Sequence, residues 1–182
     1  AGDFPETVLK TLKSKDSGHP QRQVHLMTAD GQSAGFTGSE CIDWAGHKTA
    51  ENISVAGNML AGERVLEDML SCYLDTKSVP FAERLLLAME AGEAAGGDKR
   101  GRQSASLRIH RGEAVPWLDL RCYDDAEPLI EIRRLLDVAG ERYIHFTEMM
   151  GSSANFSGHA DRSRIEALIK AGEEAREAEN KP

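Results

Sequence analysis

The chain has 182 residues, 40% of them hydrophobic and 29% charged, which is apolar enough for a buried core and too apolar for extended disorder. Lys plus Arg number 22 against 30 Asp plus Glu, and the net charge of −8 gives no general pull toward nucleic acid or an anionic membrane. No window approaches the roughly 18 consecutive apolar residues of a membrane span. The three cysteines, Cys41, Cys72 and Cys122, form no C-x-x-C pair, so a reducing, cytoplasmic setting is expected, with neither a disulfide framework nor a cysteine zinc site.

In chain order, Asp3 and Glu6 form a D-x-x-E capping box, and Val8, Leu9 and Leu12 follow at helical spacing, predicting a helix over about Pro5 to Ser14. Val24, Leu26 and Thr28 alternate with Gln23, His25 and Met27, and Asp30-Gly31 marks a hairpin turn before Ser33 to Thr37. Thr37 to Asn52 has neither periodicity and reads as a long loop, after which Ile53 to Leu60 resumes as strand. Glu63 to Leu74 and Pro80 to Ala95 are amphipathic helices, the second ended by Gly96-Gly97. Ser104 to His110 and Val115 to Tyr123 form a second hairpin, and Asp125 caps a helix with Pro128 in its first turn that reaches about Val138. A shorter helix over Arg142 to Met150 with a packed Met149-Met150 pair, a linker over Gly151 to His159, and a last helix capped by Asp161 and carrying Ile165, Leu168 and Ile169 complete the chain. Strands in hairpins with a helix pair between them predict an α+β fold, in which helices cover a mainly antiparallel sheet.

Two segments carry polar chemistry. In Gly96-Gly97-Asp98-Lys99-Arg100-Gly101-Arg102-Gln103-Ser104-Ala105, glycines permit unusual backbone angles while a carboxylate, three cations, an amide and a hydroxyl crowd one turn, as an anion or carboxylate pocket would require. It is no P-loop, because Arg102-Gln103 replaces Lys-Ser/Thr and a helix precedes the loop where a strand should. The alternative is a solvated loop whose Asp98 and arginines pair with each other. In Cys41-Ile42-Asp43-Trp44-Ala45-Gly46-His47-Lys48-Thr49, His47 suits acid/base work near neutral pH with Asp43 to orient it; alternatively, Trp44 pins the loop to the core and His47 hydrogen-bonds backbone. A zinc site at Cys41 and His47 lacks a third ligand, and no other metal or cofactor is expected. Cys72 and Cys122 lie on apolar faces and read as core.

The ordered motifs Arg22-Gln23-Val24, Phe36-Thr37-Gly38, Trp44-Ala45-Gly46-His47, Val55-Ala56-Gly57-Asn58-Met59-Leu60 and Ala95 to Ala105 together resemble the DUF1028 family, placed in the Ntn-hydrolase superfamily, over about Ala1 to Val138. The resemblance implies an α/β/β/α sandwich, N-terminally incomplete here, over residues 1–138, with a helical C-terminal extension over 139–182. It implies an amide hydrolase in which an amino-terminal Ser, Thr or Cys attacks and its own α-amine serves as base. Some members of the family carry a peptidoglycan-binding domain, so a small peptide or a peptidoglycan-related amide is the implied substrate. Ala1 has no nucleophilic side chain, and the family's first strands precede the helix with which this chain opens. The resemblance assigns Asp98 to the terminal amine, Arg100 and Arg102 to a substrate carboxylate and Gln103 or Ser104 to the scissile carbonyl, with His47, Thr37 and Trp44 at the cleft. The alternative is a non-catalytic binding or assembly module on the same fold. A homo-oligomer is expected, from apolar helix faces that one small sandwich cannot cover.

Overall fold

The computed structural model describes residues 4–112, 114–140 and 162–179. They fall into two compact units, one drawn from Ala1–Ala105 and Cys122–Leu129, the other from Ser106–Arg121 and Ile130–Pro182.

The first unit opens with helix α1 (Pro5–Lys15). Its N-cap is Phe4, with no side-chain cap, and Pro5 occupies the first turn, where a missing N–H costs nothing. The cap therefore falls one residue beyond the expected Asp3, which lies outside the described residues. Strands β1 (Gln23–Met27) and β2 (Ser33–Thr37) then pair antiparallel in the register Gln23↔Thr37 to Met27↔Ser33. Their turn needs Gly31, at φ +84°, where an added Cβ would stand 1.7 Å from Asn52 Oδ1.

Where a continuous loop is predicted, the chain instead forms strand β3 (Gly46–Ala50), paired antiparallel with β4 (Ile53–Gly57) through a turn at Glu51 and Asn52. Gly-His-Lys-Thr-Ala lacks apolar alternation for a physical reason. One face of β3 meets the other hairpin through polar and small side chains, and the opposite face holds Lys48 against Glu63 at 2.9 Å and Glu67 at 3.3 Å. Burial alone therefore leaves no pattern for a hydrophobicity reading to detect.

Helix α1 packs on β1 and β2, β2 packs on β3, and helix α2 (Arg64–Asp75) packs on β3 and β4, giving the layers α1, β1–β2, β3–β4, α2. Helix α3 (Phe81–Ala94) lies against α2. The apolar core sits on the α2 side of β3–β4, where Ile53, Val55, Leu66, Tyr73 and Ala88 are buried together and Trp44, Leu60 and Met69 pack on them. Gly92 of α3 faces Met69 so closely that a Cβ there would lie 2.5 Å from its Cγ. α3 ends as its sequence dictates: Gly96 N–H bonds Glu93 O at 2.9 Å and Gly97 N–H reaches Gly92 O at 3.0 Å, with both glycines at positive φ.

Strands β5 (Ser104–Ile109) and β6 (Leu118–Tyr123) pair around a turn with Gly112 at φ +84°. β6 starts three residues later than predicted, leaving Val115 exposed. Leu107, Ile109, Leu118 and Cys122 are buried on the strands' inner face, as alternation requires. Helices α4 (Pro128–Val138) and α5 (Arg162–Glu179) complete the α+β fold. The predicted helix at Arg142 to Met150, with its Met149-Met150 pair, the linker Gly151 to His159 and the Asp161 cap lie outside the described residues, as do the side chains of Ile165 and Leu168. Among the described residues no helix is long and apolar enough to cross a membrane.

Leu66 is 0% exposed at the centre of the core. Leu66→Ala should therefore lower the unfolding free energy by about 3 kcal/mol in urea titrations, through lost transfer energy and the cavity left behind.

Candidate functional site

Strand alternation turns Gln23, His25, Ser33, Gly35 and Thr37 of β1–β2 toward β3–β4, and it is here that polar side chains converge. The Gln23 amide shares its two Nε2 protons among three acceptors: Thr37 Oγ1 at 3.0 Å, Gly46 O at 2.9 Å and Gly57 O at 3.0 Å. Gly46 and Gly57 are opposite residues at one end of β3–β4, so this one amide ties β1 to both strands of the neighbouring sheet. Asn58 Nδ2 donates to Gln23 Oε1 at 3.3 Å. Thr37 Oγ1 lies 2.8 Å from His47 Nδ1, and His25 Nδ1 lies 2.5 Å from Ser54 Oγ. The His47 ring covers Gly35, where an added Cβ would stand 2.2 Å from its Cδ2. Burial, and then the charge of His47, hold His25 below the ordinary imidazole range. Beside this seam opens a cleft of about 330 Å³ lined by Gln21, Gln23, Glu40, Cys41, Ile42 and Asn58.

The two segments singled out in the sequence meet at the same end of β3–β4. Trp44 and Leu60 exchange backbone hydrogen bonds, Leu60 bridges Asp98, and Lys99 Nζ donates to Asp43 O at 3.0 Å. Their side chains do not join in one constellation. Asp98 holds Arg100 at 2.6 Å, and this guanidinium keeps the Asp98 carboxyl below the usual carboxylate range. Arg102 pairs with Glu93 and Glu127. Both cations assigned to a substrate carboxylate are thus already neutralised. Gln103 and Ser104 are exposed, and no hydrogen bond among the described residues links them or Asp98 to Thr37 and His47. Asp43 does not orient His47, whose Nδ1 partner is Thr37, and Trp44 packs on the core and over Gly46. Among the described residues no three His, Cys, Asp or Glu side chains are grouped to hold a metal ion.

The model of a family of unknown function, DUF1028, matches residues 1–132. The chain belongs to the DUF1028 family. Among solved structures, the crystal structure of protein SPO2555 from Silicibacter pomeroyi, of the same family, is similar, with 29% sequence identity and a TM-score of 0.76. The match covers 86% of this chain and 67% of that one. No curated protein matches the chain.

Sequence reasoning found Thr37 and His47 but missed His25, Ser54, Asn58 and the bridging role of Gln23. A signal was present: Gln23 and His25 occupy the β1 face opposite Val24 and Leu26, so a polar face had to meet something other than an apolar core. In this DUF1028 chain Gln23→Ala leaves the carbonyls of Gly46 and Gly57 without that partner. It should cost about 1–3 kcal/mol of stability, measured by thermal and urea unfolding.

Proposed function

We propose that this chain is the larger part of an Ntn-type amide hydrolase acting on a small peptide or peptidoglycan-related amide, with the nucleophile supplied by residues outside these 182. The observation that carries the reading is the layering of α1, β1–β2, β3–β4 and α2, with a polar seam between the sheets that opens into a cleft at one end. In such an enzyme the terminal Ser, Thr or Cys passes its proton to the α-amine and attacks the amide carbonyl. The amine leaves with that proton, and water then cleaves the acyl-enzyme. The oxyanion formed on attack needs a donor. Asn58 lines the cleft and spends one N–H on Gln23, so its second N–H suits that role better than Gln103 or Ser104, which stand outside the cleft.

The 182-residue chain should therefore release no amine from peptide or muropeptide amides, whereas a longer form with residues preceding Ala1 should. In that form Asn58→Ala should lower kcat by about 10²–10³. Turnover by the 182-residue chain that disappears on mutating Ser54 or Cys41 would overturn the terminal-nucleophile mechanism.

The pairing of Arg100 and Arg102 with carboxylates of the same chain favours a second reading, a binding or assembly module, because it leaves neither guanidinium free for substrate. In either reading the chain self-associates: Phe81, Ile130 and Ile169 are more than half exposed. Light scattering should return a mass at least twice 19.9 kDa, and a monomer at tens of micromolar would remove that assembly.

A further inference from the structure

We propose that His25 and His47 form a proton-operated latch between the two hairpins, closed while both imidazoles are neutral and released when they take up protons. The rings stand edge to face across the seam, centroids 6.3 Å apart and planes at 70°, one on β1 and one on β3. Each uses Nδ1 on a hydroxyl, Ser54 for His25 and Thr37 for His47, and among the described residues no carboxylate hydrogen-bonds either ring. The side chains facing them by strand alternation are uncharged: Gln23 and Met27 on β1, Ser33 and Thr37 on β2, Thr49 on β3, Ser54 and Ala56 on β4. The charged groups of these layers face away. Lys48 turns to Glu63 and Glu67 on the α2 side, while Lys13 stacks over Phe36 on the α1 side and Arg22 pairs with Asp16.

A proton on each ring therefore places two like charges about 6 Å apart in a half-buried space with no counter-charge. It also upsets the hydroxyl at the centre. Thr37 Oγ1 already accepts from Gln23, and with His47 protonated the imidazole can only donate to that oxygen, so the hydroxyl proton has no acceptor on the ring. The His47 ring is seated on Gly35, so separation of β2 from β3 is the available relief. The sign follows from His25, held below its ordinary value. The unfolded chain takes the proton first, so the contribution is fully present above about pH 6.5 and is lost as pH falls below it. Because Gln23 belongs both to this network and to the cleft wall, release of the latch loosens the cleft; this holds whether or not the chain is a hydrolase.

Hydrogen-exchange protection factors, measured on the full chain from pH 7.5 to 5.0, test the latch. Protection in β2 and β3 should fall by up to about tenfold per pH unit below pH 6.5, through His25, and by more than in α3. The double variant His25→Gln, His47→Gln should flatten that fall. Protection independent of pH, a fall shared equally by α3, or the same fall in the double variant would overturn the proposal. If that variant does not fold, NMR titration of the wild-type chain decides: His25 titrating below the ordinary imidazole value supports the latch, and His25 at or above it sinks it.

Discussion

The arrangement of the first unit depends on one side-chain amide. Gln23 reaches from β1 to the carbonyls of Gly46 and Gly57 and to the Thr37 hydroxyl, fixing the height at which one hairpin sits over the other. Hydrophobic contact is non-directional and would allow two small sheets to slide. Hydrogen bonds to three acceptors within one geometry do not. Register across the seam is thus set by polar satisfaction, and cohesion comes from apolar burial on the outer faces, with Ala34 and Leu9 on one side and the cluster around Leu66 on the other.

This division of labour explains why the seam can be polar without great cost. Among the described residues, no buried side-chain nitrogen or oxygen lacks a hydrogen-bond partner. The glycines of the seam serve close approach: Gly35 admits the His47 ring, and Gly46 lies under Trp44. A sandwich whose inner faces are hydrogen-bonded and whose outer faces are greasy needs a helix on each side. α1 and α2 occupy those places.

The helices were legible because each has its own signal within a few residues: the stripe of Val65, Leu66 and Met69 in α2, the glycine pair ending α3, Pro128 opening α4. The first hairpin was legible for the same reason, through alternation of Val24 and Leu26 and the turn at Gly31. β3 was not, because His47 and Thr49 face a polar seam and Lys48 faces carboxylates, so the strand has no apolar side to read. The site divides along the same line. His47 stood out by residue type and Thr37 through the family resemblance, but their joining to Gln23, His25 and Ser54 depends on two sheets meeting face to face, a relation that no local spacing encodes. Of the two readings the charged loop allows, the pairing of Arg100 with Asp98 is local, whereas Arg102 finds Glu93 in the preceding helix and Glu127 far along the chain, partners that no local spacing names.

The contact of Gly92 with Met69 has a bearing on how the α2–α3 pair tolerates change. The interaxial distance there is set by a hydrogen where every other residue has a carbon, and the atoms opposite belong to an unbranched thioether. Such a side chain yields by rotation about three bonds where a β-branched one would be rigid. The two positions are therefore mechanically linked: enlarging one is absorbed only while the other stays slender and pliable, and an isoleucine at 69 would turn a forgiving contact into a wedge between the helices.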